Sequence, residues 1–281
     1  MPKNFDAVAN KNQQEYKNNN PLAPQWPFRW LVVGESGSGK TNLILEMILE
    51  QWIFCDKIFL YCQNLQQPKY QYLIKRMEQI AEKEGFDVDE LIYARDSLDD
   101  VIPLRSAKKD KNETPLSKKM AAMAIKPKKS FPKMSKKKQN LVIFDDFVTE
   151  KDQSIIENYF IGGRHKGCSS IYLSQSFTGT PTKVRANCTH YSFYQCGKDI
   201  EQIVRQFKSL VSKEEFYDIC RIATQHRYHF LFIDKDNENP RMKFRQNMGL
   251  VELGEREETT DYKPSKEAEI VLSDDESSDD D

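Results

Sequence analysis

Gly34-Glu35-Ser36-Gly37-Ser38-Gly39-Lys40-Thr41 satisfies the pattern G-x-x-x-x-G-K-[ST] at every fixed position. Trp30-Leu31-Val32-Val33 leads into it, and Asn42-Leu43-Ile44-Leu45-Glu46-Met47-Ile48-Leu49 follows. A short apolar β-prone run, a glycine loop and then a stretch of helical period are the context this phosphate loop requires. The chemistry follows from the residue types. Glycines let successive backbone N–H groups turn inward, and the following helix adds the positive end of its dipole. Lys40 supplies a full charge for the β- and γ-phosphates, and the Thr41 hydroxyl suits Mg²⁺. Residues Gly34, Glu35, Ser36, Gly37, Ser38, Gly39, Lys40 and Thr41 are therefore the expected nucleotide-binding set, with ATP and Mg²⁺ as cofactors.

Working outward, the pattern alternates. Strands are expected at about 29–33, 57–62, 91–93, 141–144, 170–174, 191–194 and 229–234. Helices are expected at about 40–52, 68–84, 150–160, 198–209 and 212–224. Alternating signals of this kind predict an α/β fold: a central, mostly parallel sheet with helices on both faces. The 281 residues are enough to bury a real core. Apolar residues make up only 38% and charged residues 30%, so part of the chain is expected to lie outside the globule. Residues 1–25, rich in Asn, Gln and Lys, read as a flexible arm. Residues 26–250 read as the nucleotide-binding domain, with a basic disordered insertion at about 105–139. Residues 251–281 read as an acidic tail.

Several classes are disfavoured. No apolar run approaches the roughly 18 residues of a membrane span, and the N-terminus lacks a secretory h-region, so a non-secreted, intracellular setting is expected. Six cysteines, at 55, 62, 168, 188, 196 and 220, form no C-x-x-C pair and read as buried reduced thiols. His226 and His229 have no carboxylate or cysteine at metal spacing.

Leu141-Val142-Ile143-Phe144-Asp145-Asp146 supplies a second half for the site. An apolar strand ending in carboxylates reads as a Walker B element: Asp145 for the Mg²⁺ shell, Asp146 to orient or deprotonate the attacking water. Ser174-Gln175-Ser176 ends the next strand, where ligands of parallel sheets sit. Gln175 is thereby aimed at the γ-phosphate, although a polar residue opening a loop would look the same. Arg164, in Gly162-Gly163-Arg164-His165-Lys166-Gly167, is the first candidate for an arginine finger reaching a neighbouring subunit, and Arg185 the second. Either could be an ordinary surface arginine.

Taken together, Gly34–Thr41, Ile143-Phe144-Asp145-Asp146, Gly163-Arg164-His165, Ile171-Tyr172-Leu173-Ser174-Gln175-Ser176 and Val184-Arg185-Ala186-Asn187 resemble the viral genome-packaging ATPases of the FtsK–HerA superfamily. The likeness is to the poxvirus-type enzymes of large DNA viruses and Polinton/Maverick elements, and covers about residues 28–235. The resemblance implies a RecA-like P-loop NTPase core whose catalytic carboxylate lies on a strand added between the P-loop and Walker B strands. It implies a homo-oligomeric ring, a hexamer, hydrolysing ATP to drive double-stranded DNA into a capsid, with capsid proteins as further partners. It makes Lys40 and Thr41 the phosphate and Mg²⁺ residues, Asp145 the Walker B acid, Asp146 the catalytic carboxylate, Gln175 the sensor and Arg164 the finger acting in trans. The setting it implies is host cytoplasm or nucleus, or the virion.

Net charge is −1, but the signs are segregated. Arg105 to Lys138 holds 13 Lys/Arg against Asp110 and Glu113. Lys126-Pro127-Lys128-Lys129 and Lys136-Lys137-Lys138 suit duplex phosphates without sequence readout, a nuclear import signal, or plain solubility. If six of these lysines neutralise phosphates, log K should fall with log salt at a slope of about −5. Ser273 to Asp281, with six acidic and no basic residues, could occupy the basic surface, dock a basic capsid protein, or keep the chain soluble. Two other functions fit a P-loop alone: a nucleoside or polynucleotide kinase, for which no arginine-bearing lid is evident, and a non-catalytic ATP-binding assembly factor.

Overall fold

The strands at the centre of the sheet are apolar along nearly their whole length, not at alternate positions. Leu141-Val142-Ile143-Phe144 and Lys57-Ile58-Phe59-Leu60-Tyr61-Cys62 have no polar face to give to water, so both faces must be covered. The computed structural model describes residues 17, 20–104, 134–135, 137–195 and 197–250. It forms one nine-stranded sheet in the order β3-β2-β4-β5-β1-β6-β7-β8-β9. The strands are β1 (Arg29–Val33), β2 (Lys57–Cys62), β3 (Ile92–Arg95), β4 (Asn140–Asp145), β5 (Cys168–Ser174), β6 (His190–Phe193), β7 (Leu231–Asp234), β8 (Phe244–Gln246) and β9 (Gly249–Leu250). Pairing is parallel from β3 across to β6, and antiparallel from β6 to β9.

Successive side chains on a strand face opposite ways, and the core divides accordingly. Leu31, Val33, Phe59, Tyr61, Val142 and Phe144 pack on one face. There they meet Ile156, Tyr159 and Phe160 of the 154–162 helix and the buried residues of the 200–207 and 213–223 helices. Trp30, Val32, Ile58, Leu60, Leu141 and Ile143 pack on the other face, against α1 (Lys40–Leu49) and α2 (Pro68–Glu84). This is the expected α/β, RecA-like P-loop architecture: a mostly parallel sheet between two helical layers.

The details differ from expectation in places. The helix expected at 150–160 is α3 (Ser154–Gly162), and α4 (Thr182–Asn187) was not anticipated. The helix expected at 40–52 ends at Leu49, and the strand expected from 229 starts at Leu231. Further on come α5 (Ile200–Phe207) and α6 (Lys213–Ala223). The short strands β8 and β9 carry too little pattern to be read in advance. Packing begins before residue 26: Ala23 is buried, and the Leu22 carbonyl accepts from the Arg245 guanidinium at 2.8 Å. Most of the N-terminal arm and the basic insertion, and all of the acidic tail, lie outside the described residues.

Among the described residues no helix is long and apolar enough to cross a membrane. Cys55, Cys62, Cys168 and Cys188 are free thiols, and Cys196 lies outside the described residues. Burial pushes the Cys62 thiol up to about 11 and Cys168 to about 12, as expected of inert core cysteines.

Candidate functional site

Parallel registry brings three strand ends together. Val33 of β1 lies opposite Ser174 of β5, and Leu173 of β5 lies opposite Asp145 of β4. Two backbone bonds continue the ladders one residue further: Gly34 N–H to the Ser174 carbonyl at 3.1 Å, and Asp146 N–H to the Leu173 carbonyl at 3.3 Å. The P-loop, the carboxylate pair and the Ser174-Gln175 turn therefore share the C-terminal edge of the sheet, where parallel α/β folds place ligands. One implied detail is corrected. The strand between β1 and β4 is β5, and it carries Gln175. The carboxylates belong to β4 instead: Asp145 is its last residue and Asp146 follows it.

The loop turns through Gly37 at φ 76° and Gly39 at φ 109°, and α1 starts at Lys40. A Cβ on Gly34 would lie 2.6 Å from Ser38 Oγ and 2.9 Å from Tyr194 Cβ, so no side chain fits there. The Lys40 ammonium is buried and folded back on its own loop, donating to the carbonyls of Gly34 (2.5 Å) and Glu35 (2.9 Å). Burial lowers its pKa, and the charges of Asp145 and Asp146 oppose that shift. The Ser38 hydroxyl is buried in the loop with no hydrogen-bond partner. A cation, an orphaned hydroxyl and a helix N-terminus in one concave loop fit a phosphate chain.

Tyr70, on the first turn of α2, was not singled out from the sequence. Its buried hydroxyl donates to Asp145 Oδ2. Thr41 and Asp145, the two side chains expected to hold Mg²⁺, are a hydroxyl and a carboxylate of the hard-oxygen type that cation prefers. Asp145 is 7% exposed. Burial raises its pKa, the Tyr70 hydrogen bond works against that rise, and the neighbouring Asp146 reinforces it. Asp146 itself sits at φ 63°, a backbone region uncommon for a residue with a Cβ. Its Oδ1 accepts from the Gln175 amide at 2.8 Å, so the residues read as base and sensor are in contact.

The loop after Gln175 is tied down by a residue that sequence reasoning missed. Asp199 Oδ2 accepts from the backbone N–H of Phe177 (2.6 Å) and Thr178 (3.4 Å) and from Ser176 Oγ (3.2 Å). Asp199 Oδ1 accepts from Thr178 Oγ1 at 2.7 Å. Its position just before α5 was the available signal, since such acids commonly accept from backbone N–H groups.

Arg164 is not with the others. It is exposed, in the 3₁₀ turn Gly163–Lys166 that feeds the N-terminal end of β5. Its charge is felt instead by Arg29 at the start of β1, whose pKa is lowered first by burial and then by Arg164. Arg185, on α4, lies over the Phe177 ring at 4.9 Å and bonds Thr182 Oγ1 at 3.1 Å. His226 and His229 rings meet edge to face at 5.1 Å. No group of three or more possible metal ligands occurs among the described residues.

Residues 107–238 match the family model described as Poxvirus A32 protein. The match bears out the resemblance to viral genome-packaging ATPases read from the motifs. No curated protein matches the sequence. Among solved structures, the chain is similar to the genome packaging NTPase B204 from Sulfolobus turreted icosahedral virus 2 in complex with ATP-gammaS, at 15% identity and TM-score 0.44. That alignment covers 79% of this chain and 98% of the other. B204, the DNA-packaging ATPase from Sulfolobus Turreted Icosahedral Virus, aligns at 13% identity and TM-score 0.46, over 78% and 96% of the two chains. ATPases 2 and 3 of EssC from Geobacillus thermodenitrificans align at 12% identity and TM-score 0.36, over 82% and 41%.

Proposed function

We propose that this P-loop ATPase is the motor that drives double-stranded DNA into a viral capsid, working as a homo-oligomeric ring. The observation that carries the reading is the strand register that sets the P-loop beside Asp145 and Asp146 at one edge of the sheet, close enough for both carboxylates to act on the Lys40 ammonium. Bound Mg²⁺–ATP supplies the phosphoanhydride whose hydrolysis powers the work. Lys40 leaves the loop carbonyls to bind phosphate oxygens. Thr41 and Asp145 hold the metal. Asp146 accepts a proton from water, and Gln175, already against it, orients that water without adding charge. Arg164 acts on a neighbouring subunit's nucleotide. The lysines of the 105–138 segment grip the phosphate backbone of duplex DNA.

The test is ATP hydrolysis by the full chain with and without duplex DNA. Stimulation by DNA is expected, with turnover abolished in Lys40→Ala. Asp146→Asn should still bind nucleotide but not hydrolyse it. Phosphate transfer to a nucleoside or a DNA end would replace the motor with a kinase, and binding without turnover would replace it with an assembly factor.

A further inference from the structure

Beside the P-loop a cavity of about 470 Å³ opens between α1, Lys69 of α2 and the antiparallel end of the sheet. Trp52, Tyr194, Tyr228 and Phe230 give it aromatic walls, and Asn42 and Glu46 of α1 give it polar groups. The fold explains why these residues meet. Tyr194 follows β6, and its N–H bonds the Val33 carbonyl at 3.0 Å, which sets the ring next to the start of the loop. β7 runs antiparallel to β6, so Phe230, the residue just before it, returns to the same edge, with ring centroids 5.1 Å from Tyr194. The turn after β8 clasps Phe230 from outside: Asn247 N–H bonds the Phe230 carbonyl at 2.8 Å, and Asn247 Oδ1 accepts the Phe230 N–H at 3.1 Å.

The cavity is continuous with the phosphate loop. A Cβ on Gly39 would lie 3.4 Å from Tyr194 Cε1 and 3.5 Å from Tyr228 Cδ1, so the two rings flank the loop's last glycine. Tyr228 is the unusual member. It is 55% exposed, an aromatic left in water at the mouth of a cavity. It is also held at φ 70°, which costs a bulky residue strain of the kind found at ligand clamps. Arg227 stands over its ring at 4.8 Å, an arrangement that already uses the ring for stacking with a planar cation.

We infer that this aromatic cavity seats the purine base of the nucleotide, with Tyr228 as the stacking residue. The inference rests on the phosphate-loop reading above and extends it to base recognition. Its volume suits a base and sugar, apolar walls with few polar groups are typical of such sites, and a large flat ring gains more from stacking than a small one. It also gives the antiparallel strands β7–β9 a task, since they build the wall that the parallel part of the sheet lacks.

The test is calorimetric titration of the full chain with ATP, CTP and inorganic tripolyphosphate, each with Mg²⁺. Tyr228→Gly removes the ring while accepting the positive φ without strain. It should weaken ATP about tenfold, erase most of the preference for ATP over CTP, and leave tripolyphosphate within about twofold. Tyr228→Phe should behave as the parent. As a second readout, ATP should change the fluorescence of Trp52 and tripolyphosphate should not, with the ATP signal lost in Trp52→Phe. Unchanged ATP affinity and base preference in Tyr228→Gly, in a protein whose Lys40→Ala variant has lost both ATP and tripolyphosphate, would overturn the base site alone. Retention of both ligands by Lys40→Ala would overturn the phosphate-loop reading, and the base site with it.

Discussion

Asp145 illustrates how one residue sets opposing demands. A carboxylate at 7% exposure loses most of its hydration, and the Tyr70 phenol donates a hydrogen bond to it in place of water. Tyr70→Phe removes that donor from a buried charge, so the ligand-free chain should lose about 1–3 kcal/mol of stability. Melting curves should show the deficit, and it should shrink when Mg²⁺ and nucleotide are added, because a cation at Asp145 compensates for the missing phenol. An equal loss with and without ligand would mean that Tyr70 only fills space. The raised pKa of Asp145 sets a pH dependence too. Above the usual carboxylate value of about 4 and up to the raised one, the folded chain binds more protons than the unfolded chain. Stability from this group is therefore greatest at low pH and falls as pH rises through that window. Asp145→Asn should flatten that component in the ligand-free protein while abolishing Mg²⁺-dependent hydrolysis, a pairing that pH-resolved melts and turnover assays can check. The P-loop residues and Asp145 were legible from local pattern, since each lies in a contiguous motif. Tyr70 was not, because nothing in Pro68-Lys69-Tyr70 signals that the helix will pass over the end of β4.

At the scale of elements, the segment after β5 depends on an anchor outside itself. Ser176, Phe177 and Thr178 all bond Asp199, which precedes α5, and Thr180 Oγ1 closes the turn on Ser174 Oγ at 2.8 Å. Asp199→Ala should release this loop and with it Gln175, whose amide meets Asp146. The expectation is a fall in kcat of about tenfold with nucleotide affinity within about threefold, the pattern of a lost transition-state interaction. A matching rise in KM with kcat unchanged would instead tie Asp199 to binding. The parallel strands were readable because each carries enough apolar residues to be buried on both faces. The antiparallel extension was not: β8 and β9 are three and two residues long, and their order depends on pairing that local pattern does not encode. The strand between β1 and β4 was expected, but its cargo was misassigned. Gln175 follows it, while the carboxylates close β4 as their contiguous motif had indicated; only the strand order, which sequence order does not reveal, was needed to correct what the resemblance implied.

The whole molecule is polar in the geometric sense. Parallel strands put the P-loop, Asp145, Asp146 and Gln175 at one edge, and they put the turn bearing Arg164 at the other, where β5 begins beside β4: the Asn140 N–H bonds the Gly167 carbonyl at 3.0 Å. An arginine at the far end of a strand cannot serve the nucleotide on its own chain, so any catalytic use of it requires a second copy. In a ring that stacks one subunit's Arg164 edge on the next subunit's P-loop edge, each site is shared. Two inactive variants then complement. Arg164→Ala subunits keep an intact P-loop but offer no finger, and Lys40→Ala subunits offer a finger but bind no nucleotide. At a mixed interface the Lys40→Ala chain lends Arg164 to the Arg164→Ala chain, restoring one complete site. Titrating one variant into the other should give turnover that rises to a maximum near equal proportions and vanishes at both ends. Arg164→Ala alone should retain near-normal ATP affinity, because its effect is confined to charge developed in the transition state. Turnover that stays at zero across all mixtures, with assembly intact by light scattering, would remove Arg164 from the shared site and make Arg185 the residue to substitute next.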